Sequence, residues 1–97
     1  MNVLRARPEA DLDVFEAMLW YEGERPGLGA AFLEAVRYVF SRIEEGALQF
    51  PLVSADVRRA ILRGFPFGVF FVVEGDTSTV LAVIHLHRHL SSWEGRR

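Results

Sequence analysis

Four arginines and three histidines in the second half of the chain have the types and spacing to do chemistry. They are Arg58, Arg59 and Arg63, then His85, His87 and His89, with Arg88 between the last two. On an extended backbone Arg59 and Arg63 share one face, and so do His85 and His87. A guanidinium grips phosphate or carboxylate through paired hydrogen bonds, and an imidazole changes charge near neutral pH. If the strands carrying these groups flank a common neighbour, the groups converge on one open surface. Such a surface suits an anionic partner, either RNA phosphates or an acidic protein segment. Three chemistries stay open for residues 85–89. Alternate histidines on a strand can present two imidazoles to one metal ion. Only His89 or an acid could complete the ligand set, so no metal site is expected. The second is acid–base catalysis of RNA cleavage. The third is an ordinary structural or interfacial role on a half-exposed strand. No cofactor is expected, and the turn glycines Gly27 and Gly29 do not make a phosphate loop, because the full GxxxxGK[ST] pattern is absent.

Prolines and glycines divide the chain into the elements that must position these residues. Asn2 to Arg7 reads as a short strand. Pro8 opens a helix, where its missing N–H costs nothing, and Glu9, Asp11 and Asp13 favour the positive end of its dipole. Leu12, Phe15 and Leu19, widened by Val14 and Met18, form its expected core stripe. Gly23 and Pro26 end it. A second helix spans about Leu28 to Glu45, with Phe32, Leu33, Val36, Val39, Phe40 and Ile43 as one broad apolar stripe. The short 23–27 connection makes the helices antiparallel neighbours. Gln49 to Ala55 reads as a loop with Phe50 and Pro51 against the core. Strands follow at about Val57–Arg63, Phe67–Val73 and Thr79–His87, separated by turns at Gly64–Pro66 and Gly75–Asp76. The expected fold is α+β, in the order β-α-α-β-β-β, with the helix hairpin on one face of a mostly antiparallel four-stranded sheet.

Ninety-seven residues with 51% hydrophobic content suit one domain, residues 1–97, with a packed core. No apolar run is long enough to span a bilayer, and no secretory leader is expected, since no basic stretch followed by an apolar one opens the sequence. The absence of cysteine excludes disulfides. A cytoplasmic location is expected, without membrane contact. The helical half, residues 1–50, carries five arginines against nine acids; residues 51–97 carry six against four. All eleven basic residues are arginine, so no lysine can serve as a general acid or base.

The strand from Phe67 to Val73 is apolar on both faces. Phe67, Val69, Phe71 and Val73 point one way, Phe70 and Val72 the other. The hairpin can cover one face. The other calls either for the tail to fold back, with Leu90 and Trp93 as its lid, or for a partner protein.

The helix hairpin followed by a strand meander resembles the RelE/ParE toxins of type II toxin–antitoxin modules. The turn, with Trp20-Tyr21-Glu22, then Pro26-Gly27-Leu28-Gly29, then Phe32-Leu33, resembles the ParE-like, plasmid-stabilisation branch most closely. The resemblance covers nearly the whole chain and implies a toxin that causes growth arrest and is neutralised by a cognate antitoxin, as a toxin–antitoxin hetero-oligomer. ParE toxins act on DNA gyrase through a binding surface, without a nuclease site. On that branch the contact residues would be Arg58, Arg59, Arg63, Phe70, Arg88 and Trp93, and no catalytic residue is expected. The RelE branch implies the alternative, a ribosome-dependent messenger-RNA endonuclease. There Arg59 or Arg63 would hold the phosphate, His85 or His87 would move protons, and Arg88 would lie beside them. The chain departs from that pattern: it has no lysine, its tail has Trp93 but no tyrosine, and its isoelectric point is about 5.9. A non-toxic binding module on the same fold is the second alternative.

Overall fold

The computed structural model describes residues 3–87 and residue 96. The elements are β1 (Val3–Ala6), α1 (Pro8–Glu24), α2 (Leu28–Gly46), a 3-10 turn (Ala47–Gln49), β2 (Leu52–Ser54), β3 (Val57–Ile61), β4 (Phe67–Glu74) and β5 (Thr77–His85). The sheet order is β1-β5-β4-β3-β2. Only β1 is parallel, along β5; every other pairing is antiparallel. The α+β class and the helix hairpin agree with the sequence reading, but the sheet has five strands.

The additional strand is β2, inside the segment read as a loop. It pairs with β3 through Leu52–Arg58 and Ser54–Val57, with a register shift between. Three residues behind a proline at a sheet edge leave too little alternation to register as a strand. Val57–Arg63 is also shorter than expected, stopping at Ile61, and the last strand runs Thr77–His85.

The hairpin covers one face of the sheet. Phe32, Val36, Val39 and Ile43 of α2 pack on Val69, Phe71, Val80 and Val83. Val57, Phe70, Val72, Leu81, Ala82 and Ile84 form a second cluster on the opposite face. Leu81 and Ala82 both join it because the β4–β5 register steps from Phe70–Ala82 to Phe71–Val80, which leaves one extra residue on β5. These six residues are at 4% exposure or less within the chain itself. The second face is therefore not an open surface. Leu90 and Trp93, the expected lid, lie outside the described residues.

The first helix overturns part of the sequence reading, since Val14 and Met18 of the expected stripe do pack inward. Leu12, Phe15 and Leu19, expected in the core, are 55%, 51% and 52% exposed. The inward face is Ala10, fully buried, with Val14, Ala17, Met18 and Tyr21 packed against the core. No helix among the described residues is long and apolar enough to cross a membrane.

Candidate functional site

The turn between the helices owes its wording to a capping problem. Gly27 sits at the N-cap of α2 with φ of 91°, so it brings no side chain to accept from the free N–H groups there. Glu22, at the end of α1, supplies the missing acceptor. Its Oε1 accepts from the Gly27 and Gly29 N–H groups at 3.1 and 3.0 Å, and Oε2 accepts again from Gly27 at 3.1 Å. The carboxylate also faces the positive end of the α2 dipole. Gly29 is tightly enclosed: a Cβ there would stand 2.9 Å from the Met18 carbonyl oxygen. Tyr21 stacks on Phe32 at 5.4 Å between ring centroids and meets Phe65 and Phe67 edge-on. Burial raises its hydroxyl above the ordinary value for tyrosine. Trp20, by contrast, is largely exposed. Of the two aromatics that end α1, Tyr21 alone packs into the hairpin core.

The arginines do not converge. Arg58 lies on the helix side and donates to the Phe50 and Leu48 carbonyls at 2.6 and 3.4 Å, which ties down the segment before β2. Arg59 pairs in register with Phe70, on the opposite face. Its Nε is buried without a hydrogen-bond partner. Arg63 lies beyond the end of β3, with its guanidinium 4.3 Å from the centre of the Tyr38 ring on α2. The expectation that Arg59 and Arg63 share a strand face fails, because pairing ends at Ile61 and the alternation ends with it. Phe70, a candidate contact residue, is buried. Arg88, His89 and Trp93 lie outside the described residues.

His85 pairs in register with Phe67 on the helix side and meets its ring at 5.4 Å. His87 follows in a turn, exposed, with its ring 5.0 Å from that of His85. The His87 N–H donates to His85 Nδ1 at 3.1 Å. Among the described residues no group of three or more histidines and carboxylates could hold a metal ion. His85 and Arg59 stand on opposite faces of the sheet, so a phosphate on one is not presented to the other.

What the fold does assemble is a cleft between α1 and β5, formed where β1 runs out. β1 covers β5 from Thr77 to Val80 only. Beyond that point α1 crosses the strand's edge, and a cavity of about 690 Å³ lies among Asp13, Glu16, Trp20, Tyr21, Phe67 and His85, among others. Asp13 Oδ2 accepts from the Val83 N–H at 3.0 Å. It also holds the Arg96 guanidinium. In the sequence Asp13 is one acid of a helix's first turns, and nothing local signals a partner 70 residues away.

No protein-family model matches the chain, and no curated protein matches it. Among solved structures, a chain described as "Chromosomal ParDE TA system from P. aeruginosa" superposes with a TM-score of 0.78 at 20% identity. The match covers 88% of this chain and 96% of that one. This protein has the ParE-like fold.

Proposed function

We propose that the protein is the toxin of a type II toxin–antitoxin module, closest to the ParE branch. On this reading it acts by protein–protein contact on DNA gyrase and is held by a cognate antitoxin. The observation that carries the reading is the fold match to the ParDE neighbour over nearly the full length of both chains. The turn built by Glu22, Gly27 and Gly29 supports the same branch, since those are the residues of the sequence resemblance. The exposed stripe Leu12, Phe15 and Leu19 adds an apolar surface of the kind that protein partners cover. The endonuclease alternative draws less support, because its phosphate-holding and proton-moving candidates, Arg59 and His85, lie on opposite faces. A contact mechanism needs no such convergence.

The experiment is pulse labelling of DNA and protein synthesis just after induction in a bacterium lacking the antitoxin. An early fall in DNA synthesis supports the gyrase reading. An early fall in protein synthesis replaces it with the messenger-RNA endonuclease, and His85 and His87 become the first residues to change. Growth with neither falling would favour the non-toxic binding module.

A further inference from the structure

A second cavity lies on the side of the sheet away from the hairpin, where β1 runs beside β5. Arg5 of β1 pairs in register with Thr79 of β5, and Thr79 pairs with Val72 of β4. Paired residues of neighbouring strands project to the same side, and Val72 belongs to the cluster on the face away from the helices. Arg5, Thr79 and Val72 therefore form one row on that face. Arg7 returns to it. Its backbone is still extended, with φ of −66° and ψ of 150°, and its N–H donates to the Val80 carbonyl at 2.9 Å, so the alternation of β1 runs one residue past the strand. Glu74, two residues beyond Val72 on β4, shares the same face. Arg5, Arg7, Glu74 and Thr79 line a cavity of about 470 Å³ over the buried Val72 and Leu81.

The chain leaves the charges of this cavity largely unused. Arg5 has no ion pair among the described residues, and neither has Glu74. Arg7 has one loose contact: its Nε stands 3.8 Å from Glu9 Oε1, with the two side chains 45% and 46% exposed. An ion pair that exposed contributes little. Two guanidiniums on alternate residues of one strand start roughly 7 Å apart at their Cα atoms, and together they can grip a single phosphate. Pro8, at the rim, begins a helix of 17 residues that no side chain caps, and its positive end adds to the attraction. Glu74 stands at the other end of the cavity, two strands across from β1 and so roughly 10 Å away across the sheet. A ligand that satisfies both ends carries a phosphate at one end and an N–H donor at the other.

We propose that this cavity binds a nucleotide whose base carries an exocyclic amino group, with the phosphate between Arg5 and Arg7 and the amino group donating to Glu74. The distribution of charge selects that class. Inorganic phosphate would satisfy the arginines and leave Glu74 facing an anion without a donor. A ligand with an acid at each end would meet the same repulsion. A nucleotide places its charge on the arginines and brings a neutral, donor-bearing ring to the carboxylate, with the Thr79 hydroxyl in the row between them. A base with a carbonyl in place of the amino group turns a lone pair toward Glu74 and is disfavoured. The site shares no residue with the arginines and histidines of the endonuclease reading. It does not depend on the toxin reading, since nothing in it rests on what the protein inhibits.

The test titrates the full chain with CMP, and with UMP as a control of equal size in which O4 replaces the amino group. Binding is read from the amide signals of Thr79 and Glu74. CMP should bind at least about fivefold more tightly than UMP. Glu74→Gln should erase that preference, because a carboxamide can also donate to O4. Arg5→Ala and Arg7→Ala should each weaken CMP binding at least about tenfold. Arg37→Ala, which removes an exposed arginine of α2 paired with Glu34, should leave it unchanged. Thermal unfolding of each variant establishes that it is folded before binding is compared. Tighter binding of 5′-phosphorylated tetracytidylate than of CMP at the same signals would assign the site to the end of a nucleic-acid strand; equal or weaker binding would assign it to the free nucleotide. No response to CMP at millimolar concentration would overturn the proposal. So would equal binding of CMP and UMP to the unaltered chain, or an equal loss in the Arg37→Ala variant.

Discussion

The two helices of the hairpin carry apolar residues at similar spacing and use them in opposite ways. In α2 the stripe of Phe32, Val36, Val39 and Ile43 is the core, and the charged residues Glu34, Arg37, Arg42, Glu44 and Glu45 all lie off it. In α1 the stripe with the largest side chains, Leu12, Phe15 and Leu19, faces outward, and the smaller Ala10 and Ala17 face in with Val14, Met18 and Tyr21. Small inward residues let α1 lie close to α2 and across the edge of β5. A helix that is apolar around most of its circumference has no face that periodicity can choose. The stripe leaves on α1 an apolar surface of the kind that a partner protein can cover.

Several substitutions would break or sharpen this contrast. The largest effect is expected at Phe32, fully buried and in ring contact with Tyr21, Phe65 and Phe67. Phe32→Ala should cost about 3–5 kcal/mol in urea unfolding; a loss below 1 would mean that α2 is not the core helix. Gly29→Val comes next, because its Cβ would press on the Met18 carbonyl. A loss of about 1–3 kcal/mol is expected, and a neutral result would show that the helices are not in close contact there. Glu22→Ala removes the borrowed cap of α2 and should cost about 0.5–2 kcal/mol, read as a lower melting temperature together with faster amide exchange at Gly27 and Gly29. Unchanged exchange at both glycines would argue against the cap. Serine at Leu12, Phe15 or Leu19 should have the smallest effect, within about 0.5 kcal/mol each. A change of several kcal/mol at any one of them would return the stripe to the core.

Much of the framework was legible in residue spacing. Both helices fall within a residue or two of the expected bounds, since Pro8 and Gly27 mark their starts. The two-faced apolar pattern of β4 correctly indicated burial on both sides. Register was less legible. The arginines looked like one cluster because strict alternation was carried past Ile61, where the strand ends. The extra residue at Leu81 is likewise invisible locally, because an apolar run reads the same with or without a bulge. The cleft was not legible at all. Asp13 meets Val83 and Arg96 across separations of 70 and 83 residues, and short-range patterns carry no such information.

By itself the sequence determined the element types, the hairpin turn and the α+β class, because these follow from proline, glycine and apolar spacing acting over a few residues. Tertiary structure decided which face of α1 is buried, which side of the sheet each arginine occupies, and that β1 stops at Ala6. That early stop exposes the end of β5 to Asp13. These outcomes depend on which distant surfaces meet, and steric fit between whole elements settles them only after each element has formed.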